Sequence, residues 1–121
     1  MGVTYLEGEA TGPTGKKKRI RFLVDSGAVY TLLSHKDCRE LKLRSKRRMT
    51  FTLADGTTVE RHISECHLKL EQGEGYTPVI MGEPGDEPLL GVVTLEELGL
   101  VFNPFNRSLQ PMRAVLARRS S

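Results

Sequence analysis

One aspartate in this chain follows an apolar run, and its position is the first indication of chemistry. Residues 22–24 are Phe, Leu and Val, and Asp25, Ser26 and Gly27 come directly after them. Such a run predicts a buried β-strand rather than a surface turn. A carboxylate at the end of a buried strand is costly unless it is hydrogen-bonded or shares a proton. Asp25 is therefore either a structural acid that caps its own turn with the help of Ser26, or a catalytic acid–base group.

Length and composition favour one domain, residues 1–121. The chain is long enough for a core but too short for two independent lobes. Its 38% hydrophobic and 27% charged residues are typical of a globular protein. No apolar stretch approaches the roughly 20 residues that span a bilayer, and no signal peptide is visible at the N-terminus. We therefore expect a cytoplasmic protein with no membrane partner.

The cysteines and histidines do not form a metal-binding signature. Cys38 and Cys66 have no neighbours at metal-ligand spacing, and the histidines are scattered. Cys66 is followed by His67, but strand alternation would send these two side chains to opposite faces. We expect two buried or half-buried free thiols, no metal and no cofactor.

The basic residues are clustered, although the net charge is only +3. One run occupies residues 16–19 and another residues 42–48. Basic runs can bind nucleic-acid phosphates, but no aromatic residue is interleaved with these runs to form a stacking surface. We favour solvated turns and strand ends, and a nucleic-acid-binding barrel stays as the weaker alternative.

Alternation and turn residues predict a strand-rich first half. Ser34 is expected to cap a short helix, and the Asp-Gly pair in residues 54–57 predicts a tight hairpin turn between alternating runs. The return strand of this hairpin is expected to run as far as Gly73, and Gly73, Glu74 and Gly75 are expected to form the next turn. The expected strands are residues 3–11, 18–24, 30–33, 49–53 and 59–73, and the expected helix is residues 35–41.

The second half repeats part of the first. Residues 77–81 predict a strand and residues 82–88 a loop, after which Leu89 and Leu90 lead through Gly91 into a second helix. Thr94 and Glu97 are expected to form a capping box at the start of that helix, and Gly99 is expected to end it. Like residues 22–27, this segment combines an apolar strand, a glycine and a capped helix, so the halves could be related by a pseudo-two-fold axis. Further strands are expected at residues 101–102 and 107–109, with residues 112–116 as a candidate.

Three of these parts, taken in order, resemble the retropepsin-like aspartic proteases, and most of all their small stand-alone bacterial or archaeal members. The first part, residues 25–28, resembles the Asp-Thr/Ser-Gly-Ala catalytic motif of the family. The second part, residues 54–57, lies where the family carries its flap. The third part, residues 89–91, resembles the family's apolar-apolar-Gly-plus-helix signature. The resemblance covers about residues 3–112 and implies a mostly β, single-lobe, closed β-barrel-like acid-protease fold with one or two short helices. The matching residues are Asp25, Ser26, Gly27 and Ala28, then Ala54, Asp55, Gly56 and Thr57, then Leu89, Leu90 and Gly91.

The resemblance implies an aspartic endopeptidase. Peptide hydrolysis without a metal or a covalent intermediate needs one carboxylate as base and one carboxylic acid as proton donor. Asp37 is expected in a helix, Asp55 at a hairpin tip and Asp86 in a loop, so none of them supplies a second carboxylate beside Asp25. Two copies of Asp25 across a two-fold axis would supply it. The expected partners are therefore a second copy of the chain and a polypeptide substrate, and the monomer is expected to be inactive.

The resemblance also implies a role for each matching residue. The catalytic group would be Asp25, with Ser26 hydrogen-bonding across the dimer and Gly27 letting the backbone turn. Substrate would lie against Ala28 and under the flap tip, which is more polar here than in many family members. Residues 112–121 would be a flexible tail or an interface strand. A non-catalytic, dimeric peptide-binding module with the same fold is the alternative function. The substrate-binding residues would be Ala28, Ala54, Asp55 and Gly56, and the structural second motif Leu89, Leu90 and Gly91.

Overall fold

The computed structural model describes residues 3–25 and 27–112. Ser26 and the candidate strand and tail beyond Met112 therefore lie outside the described residues. The described elements are β1 (Thr4–Thr11), β2 (Lys17–Val24), β3 (Thr31–Leu33), α1 (His35–Glu40), β4 (Arg47–Thr52), β5 (Thr58–Leu70), β6 (Gly73–Met81), β7 (Leu89–Leu90), α2 (Val92–Glu97), β8 (Leu100–Asn103) and β9 (Ser108–Pro111).

The first seven strands form one sheet that closes on itself like a ring. Its strand order is β1-β2-β7-β3-β6-β5-β4, and β1 also pairs with β5. Strand β4 continues the sheet outside this ring, because among the described strands it pairs only with β5. Strands β8 and β9 form a separate antiparallel pair. The chain is thus mostly β with two short helices, as the sequence predicted, and no described helix is long and apolar enough to cross a membrane.

The inside of the ring is the hydrophobic core. Strand β2 alternates as a half-buried strand should, with Ile20 and Phe22 buried and Arg19 and Arg21 turned outward. Phe22, Leu33 and Leu90 are completely buried, and a fully buried side chain of this size contributes about 1.5–3 kcal/mol. The apolar run that precedes Asp25 is therefore anchored in the core.

The first hairpin and the first helix form where the sequence predicted them. Strands β1 and β2 pair antiparallel across the turn at residues 12–15. The hydroxyl of Ser34 accepts a hydrogen bond from the Asp37 N–H at 3.1 Å, which caps α1. Cys38 and Leu41 are buried on the inner face of this segment.

The turn predicted at residues 73–75 is wrong. The chain reverses at residues 71–72 instead, and both glycines lie within β6, where Gly73 pairs with Leu70 and Gly75 with Leu68. Leu98 lies over this part of the strand, and a Cβ at Gly75 would lie 3.2 Å from its Cδ2. The end of the second helix therefore packs directly on the backbone of β6.

The capping box predicted at Thr94 is also wrong. Helix α2 begins earlier, at Val92, with Gly91 at the N-cap position and no side-chain cap. The N–H groups of Val92 and Val93 donate instead to the carbonyl groups of Ala28 and Val29, at 3.0 and 2.9 Å. Carbonyl groups from a distant part of the chain thus accept the free N–H groups in the first turn of the helix, and no side-chain cap is required.

Candidate active site

Asp25 lies exposed at the end of β2, on a tight turn. Its main-chain carbonyl accepts a hydrogen bond from the Ala28 N–H at 3.0 Å, and its Oδ1 accepts one from the Gly27 N–H at 2.9 Å. A Cβ at Gly27 would lie 3.2 Å from this same oxygen, so glycine allows the close approach. The turn therefore holds one carboxylate oxygen in place and leaves the carboxylate accessible from solvent.

The second motif lies directly beside this turn. Strand β7 runs parallel to the end of β2 and pairs Leu89 with Leu23 and Leu90 with Val24. The Asp25 N–H donates to the Leu90 carbonyl at 3.4 Å. The structure thus brings together two motifs that are more than 60 residues apart in the sequence.

Gly91 packs against the backbone that follows the turn. A Cβ at this position would lie 2.4 Å from the carbonyl carbon and 2.6 Å from the carbonyl oxygen of Tyr30. Real Cβ atoms essentially never come this close to another heavy atom. Any side chain at residue 91 would therefore displace the segment between Asp25 and β3.

Three buried threonines form a group beneath the turn that the sequence did not indicate. Thr31, Thr77 and Thr94 are each 0% exposed and come from β3, β6 and α2. The Thr94 hydroxyl lies within hydrogen-bond distance of both other hydroxyls, and the Gly91 N–H donates to Oγ1 of Thr31 at 2.9 Å. No local pattern in the sequence could have grouped these residues, because they are brought together only by the fold.

A small apolar cavity of about 170 Å³ opens beside Asp25. Strand β8 contributes one wall and α2 another. Glu96 lines this cavity together with Asp25. Neither this cavity nor the place of Glu96 in it was predicted from the sequence. The apolar lining residues are Val24, Val92, Leu95, Leu100, Val101, Phe102 and Met112.

The flap-like hairpin ends in an exposed turn that is closed by hydrogen bonds. Gly56 has a φ of +89°, the left-handed conformation that favours glycine. Oδ1 of Asp55 accepts hydrogen bonds from the hydroxyl and the N–H of Thr57, at 2.6 and 2.9 Å, and these bonds hold the pKa of Asp55 below its usual value. Ala54 is exposed at the same tip.

The described tip residues form no hydrogen bond with those of the Asp25 turn. The two regions are linked lower down, where the rings of Phe51 and Tyr30 meet edge to face with centroids 6.1 Å apart. Phe51 lies on β4, and Tyr30 directly follows the Asp25 turn in the chain. The structure therefore places strand β4 of this hairpin, rather than its tip, against the segment that follows the Asp25 turn.

The remaining aspartates are engaged elsewhere. Oδ1 of Asp37 lies 2.8 Å from Nζ of Lys18, and Oδ2 of Asp86 accepts the Glu83 N–H at 2.8 Å. In residues 3–25 and 27–112, no three or more His, Cys, Asp or Glu side chains are grouped so that they could hold a metal ion. Cys38 and Cys66 are free and buried, and burial raises the pKa of both thiols, that of Cys66 to about 12.

Several residues of the basic runs are paired with acidic neighbours rather than gathered into one free surface. The pairs that they form, Lys17–Glu9, Lys18–Glu40, Arg19–Glu7, Lys46–Glu65 and Arg48–Glu60, lie largely on the surface. This arrangement favours the interpretation of solvated strand ends over that of a nucleic-acid interface.

A family model described as gag-polyprotein putative aspartyl protease matches residues 14–97, which include Asp25, the flap-like hairpin and Gly91. The chain belongs to this family. No curated protein shows significant sequence similarity to it.

Solved structures of two members of the retroviral protease group share the fold. The EIAV protease, solved with the inhibitor HBY-793, has a TM-score of 0.60 and 18% identity, covering 81% of this chain and 89% of its own. The simian foamy virus (mac) protease has a TM-score of 0.55 and 18% identity, covering 77% of this chain and 92% of its own. The retropepsin-like fold predicted for this family member is confirmed.

Proposed function

We propose that this protein is an aspartic endopeptidase that hydrolyses extended polypeptides as a homodimer. One observation carries the proposal: the Asp25 carboxylate is exposed on a turn, with one oxygen held by the Gly27 N–H at 2.9 Å. A purely structural acid in such a turn would need no further support. Here β7, Gly91 and α2 all pack against the turn, which is the kind of rigid support that a reacting group requires.

The second carboxylate would come from a second copy of the chain. Two-fold symmetry places a residue near its own counterpart, so two exposed Asp25 side chains could face each other. Held close together, the two carboxyl groups would share one proton, because both cannot readily be charged. Asp37, Asp55 and Asp86 are engaged elsewhere in the chain.

The shared proton defines the reaction. The ionised carboxylate accepts a proton from a water molecule as the water oxygen attacks the scissile carbonyl carbon. The protonated carboxyl group donates its proton to the carbonyl oxygen, which gives a tetrahedral carbon with two hydroxyl groups. The carbon–nitrogen bond then breaks as the first carboxyl group passes the proton taken from water to the leaving nitrogen. One of the two hydroxyl groups returns its proton to the other carboxylate, so the dyad again holds a single proton. Gly27 keeps the carboxylate oriented during these steps, and Ser26 would hold the two turns in register.

An extended substrate fits the surroundings of Asp25. Ala28 is small and half-buried beside the turn, and the described part of β4 pairs only with β5. An extended peptide can pair with a strand edge of this kind while Ala54, Asp55 and Gly56 close over it. The apolar cavity beside Asp25 would favour an apolar side chain next to the scissile bond.

Glu96 provides a second candidate arrangement. Because Glu96 lines the same cavity as Asp25, a pair of these two carboxyls within one chain would be active as a monomer. The homodimer is favoured because the Asp25 turn is braced on both sides by backbone contacts, whereas the described structure gives the Glu96 carboxylate no hydrogen-bond partner that would orient it.

The test is cleavage of a peptide library across pH by matched variants. We expect Asp25→Asn to lower kcat by roughly 10²–10⁴-fold. Asp86→Asn, which alters a loop carboxylate away from the site, should leave kcat close to that of the wild type, as should Glu96→Gln. Loss of cleavage in Glu96→Gln would favour the single-chain pair, and full cleavage by Asp25→Asn would disprove the proposal.

Mixing wild type with Asp25→Asn tests the dimer directly. If two intact copies are needed, an equal mixture that exchanges freely keeps about one quarter of the activity, whereas an active monomer keeps about one half. Sedimentation should show dimers under the assay conditions. If the wild type binds peptides by calorimetry but never cleaves them, the protein is instead a peptide-binding module.

A further inference from the structure

We propose that Thr31, Thr94 and Thr77 form one directed chain of hydrogen bonds that positions the Asp25 turn, with Thr94 as its central positioning residue. The inference rests on the proposed function, because it concerns the turn that would carry the dyad. The three side chains are completely buried and come from separate elements, β3, α2 and β6.

The direction of the chain follows from the single proton of each hydroxyl. Oγ1 of Thr77 lies 3.2 Å from the Pro78 carbonyl oxygen, which can only accept, and 2.8 Å from Oγ1 of Thr94. We infer that Thr77 donates its proton to Pro78 and accepts from Thr94. Thr94 therefore donates to Thr77 and accepts from Thr31. Thr31 in turn accepts from the Gly91 N–H at 2.9 Å. Each hydroxyl donates once and accepts once, so none of the three side chains is left unsatisfied.

The chain reaches Asp25 through the peptide unit that joins Leu90 to Gly91. The carbonyl of this unit accepts the Asp25 N–H at 3.4 Å. Its N–H donates to Oγ1 of Thr31 at 2.9 Å. Thr31 therefore holds the peptide unit to which the start of the Asp25 turn is hydrogen-bonded.

The chain also fixes α2 relative to the turn. Thr94 lies in the first half of α2, whose N–H groups at Val92 and Val93 hold the carbonyls of Ala28 and Val29. The turn is thus held at its start through Leu90 and at its end through α2. A shift of Thr94 would loosen both attachments at once, and because the three hydroxyls polarise one another, loss of one weakens the others.

The decisive variant is Thr94→Val, which keeps the branched shape and removes the hydroxyl. We expect kcat to fall by about tenfold or more with KM changed less than about twofold, because the reacting group and not the substrate contacts would be displaced. Amide exchange at Asp25, Val92 and Val93 should accelerate by about tenfold. Thr94→Ser, which restores the hydroxyl, should recover most of both effects.

Ser64→Ala is the matched control. Ser64 is 3% exposed and donates to the Arg44 carbonyl at 2.6 Å, so this variant also removes a buried hydroxyl, but one on β5 that does not contact the Asp25 turn. It should leave kcat and the three exchange rates within about twofold of the wild type. Wild-type kcat and wild-type exchange in Thr94→Val would overturn the proposal.

If Thr94→Val does not fold, Thr77→Val removes the acceptor of the Thr94 hydroxyl and is measured in the same way, and unchanged rates there would overturn the proposal. If the wild type itself cleaves nothing, the proposed function fails. Amide exchange still tests whether the three threonines position the Asp25 turn. Faster exchange at Asp25 and Val92 than in Ser64→Ala supports it, and equal exchange overturns it.

Discussion

A Cβ atom on Gly91 would lie 2.4 Å from the carbonyl carbon of Tyr30. The backbone of Gly91 has φ −100° and ψ 168°, an extended conformation that any residue adopts. Glycine is therefore required here for space and not for its conformational freedom. The atoms that it contacts belong to the backbone between Asp25 and β3, which cannot move aside without moving the turn.

Gly91→Ala should consequently destabilise the protein and displace the Asp25 turn. We expect a loss of about 1–3 kcal/mol or more in the free energy of unfolding, as in other overpacked sites, measured by urea denaturation. Gly75→Ala is the control, because its Cβ would meet only the flexible end of Leu98, at 3.2 Å. Equal stability of the two variants would contradict the role of the contact with Tyr30.

The buried thiols should be inert in the folded protein. Burial raises the pKa of Cys66 to about 12 and raises that of Cys38, so both thiols are almost entirely protonated at pH 8. Because the thiolate is the reactive form, iodoacetamide should label neither cysteine in the native protein and both in urea, as read by mass spectrometry. Rapid labelling of native Cys66 would show that β5 opens readily.

Local patterns in the sequence were sufficient to predict several helices, strands and turns and the position of Asp25 at the end of a strand. Ser34 caps α1, and the Asp55–Gly56 pair makes its turn, because each needs only its own neighbours in the sequence. The apolar run before Asp25 likewise identified β2. These features could be predicted because the interactions that define them span only a few residues.

The errors and omissions arose where distant segments meet. Gly75 lies within β6, where Leu98 packs on it. Thr94 is not a cap because the Ala28 and Val29 carbonyls already accept the N–H groups at the start of α2. The contact between Thr31 and Thr94 joins residues 63 positions apart. A sequence read by itself offers no local pattern for such contacts, so the support of the site became visible only in the fold.

Lys18 should stabilise the protein up to alkaline pH. Its Nζ lies 2.8 Å from Oδ1 of Asp37, and hydrogen bonds with Asp37 and then Glu40 raise the pKa of Lys18 above 10.5. A raised folded-state pKa means that the stabilisation is complete below pH 10.5 and is lost as the pH rises through the folded-state value.

Lys18→Met should therefore lower Tm at pH 7 by roughly 4 °C, since a partly exposed pair contributes about 1 kcal/mol. The difference from the wild type should shrink above about pH 10.5 in scanning calorimetry. Lys36→Met is the control, because Lys36 lies 3.9 Å from Glu40 and is 80% exposed. A difference that persists unchanged at high pH would mean that the methionine disturbs packing.

Asp55 should stabilise the tip of the hairpin between β4 and β5 except in acid. The Thr57 hydroxyl and then its N–H stabilise the charged carboxylate and lower its pKa below 3.8. The pH dependence is opposite to that of Lys18. The stabilisation by the Asp55 carboxylate is present above pH 3.8 and is lost as the pH falls through the folded-state pKa of Asp55. The carboxyl carbon of Asp55 should accordingly titrate by NMR with a midpoint below 3.8, and a midpoint at or above 3.8 would contradict these bonds.

The hydrogen bonds between Thr57 and Asp55 predict different effects for Asp55→Asn and Asp55→Ala. Asparagine keeps an oxygen that can accept from Thr57, whereas alanine removes the acceptor and frees the tip. If the tip closes over substrate, Asp55→Ala should raise KM by about threefold to tenfold with a smaller change in kcat, and Asp55→Asn should lie near the wild type. A fall in kcat with constant KM would instead place Asp55 in the chemical step. Its position argues against such a role, because Asp55 lies at the exposed hairpin tip and forms no hydrogen bond with the described residues of the Asp25 turn.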